Sequence, residues 1–265
     1  DQDRHRHFSG QALEWVSEFS ELIAQKQYRV VGASSCYQQT AASIAVLDRV
    51  KGLRAETTTI MGGANCMGRM ADGIRTMDAT LDHVFSGECE TVFVDFLKSL
   101  DAGTHEAVIV GGPHDKLDEL PLPDYTQFYE QYHSFCSHDS TMNSDPACLV
   151  YEMARSSLPR DRQVVKQGSQ SNQECRSRSP EHVVQELGVL LARHPNDVLC
   201  LAAPSNMSSN HQGILQALME DHPDLLVTTA QAPPLTLDDA RKLREAGVHT
   251  IHAEIEALTT TFLMA

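Results

Sequence analysis

The sequence predicts an α/β protein built on parallel sheets, in two successive units. Three observations point there. Short apolar runs ending in small residues alternate with stretches of helical period. The connections between them are short. One proline-rich aromatic stretch, "LDELPLPDYTQFYEQYHSF", interrupts the alternation near the middle of the chain.

The elements follow in order. Gln11–Gln25 sets Leu13, Val16 and Phe19 with Trp15, Leu22 and Ile23 at helical spacing, which makes an amphipathic helix. The residues before it, with His5 and His7 around an arginine, read as a flexible polar start. "YRVVGASS" (Tyr28–Ser35) is a buried strand, and "QQTAASIAVLDRVKG" a helix stopped by Gly52. "TTTIMGG" is a second strand, Ala64–Met77 a second helix and "DHVFSGE" a third short strand. Thr91–Leu100 is a helix with Phe93, Phe96, Leu97 and Leu100 on one face, and "EAVIVGG" is one more strand. Residues 1–119 form the first unit, 120–146 a linker and 147–265 the second unit. There "ACLVYEMA" is a strand and 155–179 a basic loop. A helix starts at Pro180, with Ser179 as N-cap and Glu181 in its first turn. "DVLCLAA", a helix over Gln212–Met219 and "DLLVTTA" come next. "TLDDARKLREAG" is a helix capped by Thr236 and closed by Gly247, and "HTIHAEIE" is the last strand. This alternation is consistent with part of a β/α barrel.

Composition narrows the function classes. A chain of 265 residues with 41% hydrophobic and 22% charged residues fits a soluble globular protein with real cores. No apolar run approaches the roughly 18–20 residues that cross a bilayer, and no signal segment opens the chain. Asp rather than Met stands first, which fits a processed or truncated product. A net charge of −15 repels phosphate backbones and anionic membranes, so neither nucleic acid nor membrane is an expected partner. One local exception is the cluster Arg155, Arg160, Arg162, Lys166, Arg176 and Arg178, either a solvated loop or an anion site.

Seven dispersed cysteines without C-x-x-C spacing read as reduced, cytoplasmic thiols. Thirteen histidines, among them His133, His138, His249 and His252, show no H-E-x-x-H pattern, so no metal site is expected. No G-x-S-x-G elbow supports a serine hydrolase.

Three loops follow predicted parallel strands: Ser34–Thr40, Gly62–Asn65 and Ser86–Glu90. Ligands of open α/β sheets bind at that carboxyl edge, where small residues let them approach the backbone. Together, "VVGASSCYQQTAAS", "TIMGGANCMGRMADGI" and "DHVFSGECETVFVDFL" resemble the Rossmann-like cobalamin-binding domain of B12-dependent radical S-adenosylmethionine enzymes. The resemblance is to the branch that matures ribosomally made peptides, often as C-methyltransferases. It continues through "LPLPDYTQFYEQY", "CRSRSPEHV" and "REAGVHTIHAEIEAL", nearly the whole chain.

The resemblance implies that Ser34, Ser35, Gln38, Gln39, Gly62, Gly63, Asn65, Ser86, Gly87 and Glu88 line a corrinoid cleft. There is no D-x-H-x-x-G motif, hence no identifiable histidine ligand to cobalt. The family's next unit is a radical-enzyme barrel in which three cysteines hold a [4Fe-4S] cluster. Those positions fall on Ser157, Val165 and Gly168, and one remaining thiol, Cys175, cannot hold the site. Without the cluster no electron reaches the sulfonium of S-adenosylmethionine.

Other family positions fall on Pro204, Ser205 and Asn206 and on Ala232, Pro233 and Pro234, while Glu256 matches. The family has two βα units before the strand at Tyr28–Ser35, where this chain has one helix, and six barrel strands where about four are found here. A first domain incomplete at its amino end and a partial barrel are therefore expected, with an unpaired strand edge at Tyr28–Ser35. The expected function is non-catalytic: a pseudoenzyme that binds a corrinoid, a precursor peptide or an active paralogue. The alternative is a cobalamin-dependent methyltransferase acting without its own cluster, or with parts supplied by another chain.

Overall fold

The computed structural model describes residues 2–77, 80–103, 105–136, 148–156, 175–195, 198–202, 209–231, 237–245 and 247–253. The chain is α/β with parallel sheets and divides into two compact units, Asp1–His114 and Asp115–Ala265. No described helix is long and apolar enough to cross a membrane.

The first unit opens with α1 (Gln2–Gln25), so the polar start read as flexible is helical from Gln2. Gln, Arg and His carry no strong penalty in a helix, and lack of an apolar period does not stop one. A four-stranded parallel sheet follows, β1 (Val30–Ser34), β2 (Thr58–Gly62), β3 (His83–Ser86) and β4 (Val108–Val110), in that spatial order. Val30 pairs with Thr58, Ile60 with His83 and Val84 with Val108. Among the described residues β1 pairs with β2 alone and is an edge strand.

The connecting helices differ from expectation in local ways. In α2 (Thr40–Leu53), Gly52 sits inside the last turn, and the end comes at Arg54, whose N–H returns to the Val50 carbonyl. Gly costs a helix only about 1 kcal/mol, less than burial of Val46, Leu47 and Val50 contributes. The helix expected over Ala64–Met77 is a 3-10 turn, Ala64–Cys66, followed by α3 (Arg69–Met77), with Gly68 at φ 56 between them. On α4 (Glu90–Lys98), Phe96 is buried and Phe93 and Leu100 pack beside it, but Leu97 faces solvent. Leu100 opens a 3-10 turn, Leu100–Ala102, rather than extending the helix, and still packs against this cluster.

Successive strand residues point to opposite faces. Met61 and Val84 pack with Leu47, Ala71 and Ile74 of α2 and α3. Their neighbours Ile60 and Phe85 pack with Phe96 of α4 on the other face. The amino end of the sheet is fixed by Asp82, whose Oδ2 accepts from Thr59 N at 2.7 Å, Thr59 Oγ1 at 3.1 Å and Lys51 Nζ at 2.8 Å.

The second unit holds another parallel sheet, β5 (Leu149–Glu152), β8 (Val198–Ala202), β9 (Leu226–Gln231) and β10 (Val248–Ala253), in that order across the sheet. Its helices are α6 (Pro180–Arg193), α7 (Ser209–Asp221) and α8 (Leu237–Glu245). The core joins Leu149, Tyr151, Leu187, Leu190, Leu199, Leu215 and Val227. Part of the segment read as a linker belongs to it: α5 (Thr126–Cys136) places Tyr129 in this core, with Leu122 and Tyr125 packed alongside.

The basic loop is bounded by structure as well. Its two ends form an antiparallel ribbon of β6 (Ala154–Ser156) and β7 (Cys175–Ser177), with Arg155 opposite Arg176. Proline opens α6 at its first position as expected. The Ser179 side chain makes no cap bond to the helix; its backbone N–H donates instead to Asp118 Oδ1 at 2.9 Å.

Two measurements test these anchors. Burial alone would raise the Asp82 carboxyl, but Lys51 and Thr59 hold it below the usual carboxylate range. Its stabilisation is therefore present above the unfolded value of about 3.9 and is lost as pH falls through the lower folded value. Asp82→Asn is expected to flatten the acid limb of the stability curve below about pH 5, read by urea unfolding at stepped pH. In the second unit Arg178 and Glu186, with side chains 5% and 9% exposed, pair at 3.1 Å. Glu186→Leu removes the guanidinium's buried carboxylate partner and is expected to cost about 3–5 kcal/mol in denaturant unfolding.

Candidate functional site

Parallel pairing puts the ends of β1, β2 and β3 at one edge, so the three loops named from the sequence meet there. The first two are stitched together. Ser35 N–H donates to the Gly62 carbonyl at 2.8 Å, and Asn65 N–H donates to the Ser35 carbonyl at 3.0 Å. The Asn65 side-chain amide donates to Ser35 Oγ at 3.1 Å, Thr40 Oγ1 at 2.9 Å and the Tyr37 carbonyl at 2.9 Å. Ser35 and Thr40 hydroxyls lie 3.0 Å apart. Asn65 is thus the hub between the first loop and the second.

Gly63 is needed at its position. Its φ of 96° is in the left-handed region, and a Cβ there would lie 2.7 Å from both Ser35 N and Ser35 O. Gly87, at φ 92°, is similarly pressed against the Gly111 carbonyl. Both glycines serve the close approach of one loop to another.

The third loop joins through Ser86, whose buried Oγ accepts from Gly68 N–H at 2.9 Å. Gln39 turns inward on its own loop, Oε1 accepting from Cys36 N–H at 2.8 Å. Glu88 accepts from the backbone N–H of His114 at 3.2 Å, which adds the loop after β4 to the edge. Ser34, Gln38 and Gly63 are exposed there, and Tyr37, 88% exposed, stands beside them with φ 50°.

Of the ten residues named from sequence, then, Ser35, Gln39, Gly62, Asn65, Ser86 and Glu88 make loop-forming bonds. Ser34, Gln38, Gly63 and Gly87 present an open surface. Chemically the edge offers hydroxyl, amide and bare backbone groups of both donor and acceptor kind, fit to hold a polar, uncharged ligand rather than to move protons.

The sequence reading missed a convergence of thiols. Cys36, Cys66 and Cys89 are far apart in the chain, yet each follows one of the three strands by a few residues. Burial first, then the neighbouring Cys36 and Cys89, push the Cys66 thiol up to about 11, and burial also raises Cys89. Cys66 and Cys89 stay protonated and unreactive near neutral pH. The placement of all three thiols within a few residues of three successive strand ends was the available signal. Among the described residues no group of three His, Cys, Asp or Glu is arranged to hold a metal ion.

In the second unit, Ser157, Val165, Gly168, Pro204, Ser205, Asn206, Ala232, Pro233, Pro234 and Glu256 lie outside the described residues. The ribbon beside them engages part of the basic cluster. Arg155 is bonded to Glu152 Oε2 through Nε and Nη2, both at 2.8 Å. Arg178 pairs with Glu186, whose Oε2 also accepts from the buried Tyr151 hydroxyl, and its Nε donates to the Glu152 carbonyl at 3.2 Å. Of the choice between solvated loop and anion site, neither holds for Arg178, whose charge is spent inside the fold, while Arg155 is paired with the partly exposed Glu152.

Compared with protein-family models and with curated proteins, the chain matches none.

The hub is testable. Asn65→Ala is expected to cost about 1–3 kcal/mol by leaving loop acceptors unmet. Gly63→Ala is expected to cost at least as much, through its φ and the clash with Ser35. Denaturant unfolding followed by circular dichroism checks both.

Proposed function

We propose that this chain is a cluster-less homologue of the B12-binding radical S-adenosylmethionine enzymes of peptide maturation, working by binding rather than by catalysis. The observation that carries this reading is the content of residues 155–179, which hold a single cysteine, Cys175. A [4Fe-4S] cluster that reduces S-adenosylmethionine needs three thiolates on the protein, and serine, valine and glycine at the matching positions cannot replace them. The parallel sheet of the second unit, in sequential strand order, supports reading it as a partial barrel.

A corrinoid at the carboxyl edge of the first unit is the small-molecule ligand this reading favours. The edge fits in one respect and departs in another. Ser34, Gln38 and the exposed backbone of Gly63 and Gly87 give an open floor suited to a flat ring fringed with amides. Ser35, Asn65 and Ser86 have their polar groups engaged between loops and act as the frame beneath that floor. When bound, the corrinoid supplies a cobalt centre able to carry a methyl group. Ser34 and Gln38 would bind and orient its amide side chains, and Tyr37 would screen one face from water. A partner protein is the second reading, favoured by the outward aromatic face of α1.

Incubation with hydroxocobalamin followed by desalting tests the corrinoid reading. The chain is expected to retain visible corrinoid absorption, and Ser34→Leu/Gln38→Leu, at exposed positions of the floor, to lose it with the circular dichroism unchanged. A colourless native chain would refute corrinoid binding.

A further inference from the structure

Helix α1 turns its most apolar face away from the fold. Its inward side carries the buried Ser20 with the part-buried Val16, Ile23 and Ala24, and polar bonds tie it to α2: Ser20 Oγ donates to the Val46 carbonyl at 3.4 Å, and Arg49 reaches Ser17 Oγ at 3.4 Å and Glu21 at 3.7 Å. At about 100° per residue, Trp15, Phe19 and Leu22 lie about 100–160° around the helix from Ser20. They are 52%, 41% and 58% exposed. The Trp15 and Phe19 rings stack at 4.9 Å with an interplanar angle of 15°, so the surface is already formed before anything lands on it. Such preorganisation lowers the ordering cost of binding.

Charge specifies what lands there. Glu14 and Glu18 run along one flank of the stripe, both exposed, and neither has an ion-pair partner among the described residues. A second copy of the chain would bring its own Glu14 and Glu18, and a net charge of −15, against the same carboxylates. Anionic membranes and nucleic acids are repelled for the same reason. The complementary occupant has an apolar stripe bordered by lysine or arginine.

We propose that the outward face of α1 docks a basic amphipathic helix of a partner protein. Its apolar residues cover Trp15, Phe19 and Leu22, and its cations meet Glu14 and Glu18. This deepens the partner-binding reading and uses no residue of the carboxyl edge, so it stands or falls separately from corrinoid binding.

Trp15 is the single tryptophan of the chain and reports directly on its own face. The probes are two synthetic helical peptides with the same leucine stripe, one carrying lysine and the other glutamate on the remaining positions. The lysine peptide is expected to move Trp15 emission to shorter wavelength in a saturable titration, and the glutamate peptide to leave it unchanged. The double substitution Glu14→Lys/Glu18→Lys is expected to weaken the lysine peptide about tenfold and to admit the glutamate peptide. Phe19→Ser/Leu22→Ser, at exposed positions, is expected to abolish the response with the circular dichroism unchanged. Equal binding of both peptides, or an unchanged response in either double variant, would overturn the proposal. So would a blue shift that grows with protein concentration alone, which would identify a second copy as the occupant.

Discussion

Parallel in-register pairing of β1, β2 and β3 is the constraint on which the first unit depends. Parallel strands require that every return path run over a face of the sheet, so all three strand ends and their loops share one edge. That edge is held by hydrogen bonds between loops, with the Asn65 amide reaching Ser35, Thr40 and Tyr37 at once. Asp82 performs the corresponding task at the amino end, tying Lys51 of α2 to the start of β2. The sheet is thus pinned at both ends. Of the exposed residues at the carboxyl edge, Ser34 and Gln38 stand on this frame, while Gly63 and Gly87 belong to it through their close approach to Ser35 and Gly111.

Among the described residues, the second unit holds a buried polar cluster within its core. Arg178 leaves the β6–β7 ribbon and enters the fold, where Glu186 of α6 and the carbonyl of Glu152 receive it. Tyr151 joins through its hydroxyl. Burial and then the Glu186 contact raise that phenol far above its ordinary range, so it stays neutral and donates. Asp118 completes the junction. Burial would raise its carboxyl, but bonds from Ser179 and the charges of His182 and Arg178 hold it low. A segment that resembles a cluster-binding loop therefore begins and ends in an antiparallel ribbon fastened by arginine. This arrangement gives the ribbon a structural role that needs no thiolate.

The succession of strands and helices was legible in the sequence because each parallel strand is a short apolar run and each helix carries a clear period. What escaped was set by packing rather than by pattern. Gly52 did not end α2, because Val46, Leu47 and Val50 hold the last turn in place. Leu97 shares the composition of its neighbours, yet α4 turns Phe96 rather than Leu97 into the core. The proline-rich stretch looked like a linker, yet Tyr129 has the size and the helix to reach the second core. At the carboxyl edge the three loops were legible but the tasks of their residues were not. Glycine, serine and asparagine suit a ligand and a loop crossing equally, and only distances distinguish Asn65 as a hub from Gln38 as an open amide. The meeting of Cys36, Cys66 and Cys89 required knowing which strands are neighbours.

The central claim is that this scaffold binds and does not perform radical chemistry, since residues 155–179 hold one thiol where three are needed. Anaerobic incubation of the purified chain with iron, sulfide, a reductant and S-adenosylmethionine tests it most directly. The account predicts no cubane signal by electron paramagnetic resonance and no 5′-deoxyadenosine above the protein-free control. A reduced cluster signal that travels with the chain, together with 5′-deoxyadenosine formed in proportion to protein, would contradict it.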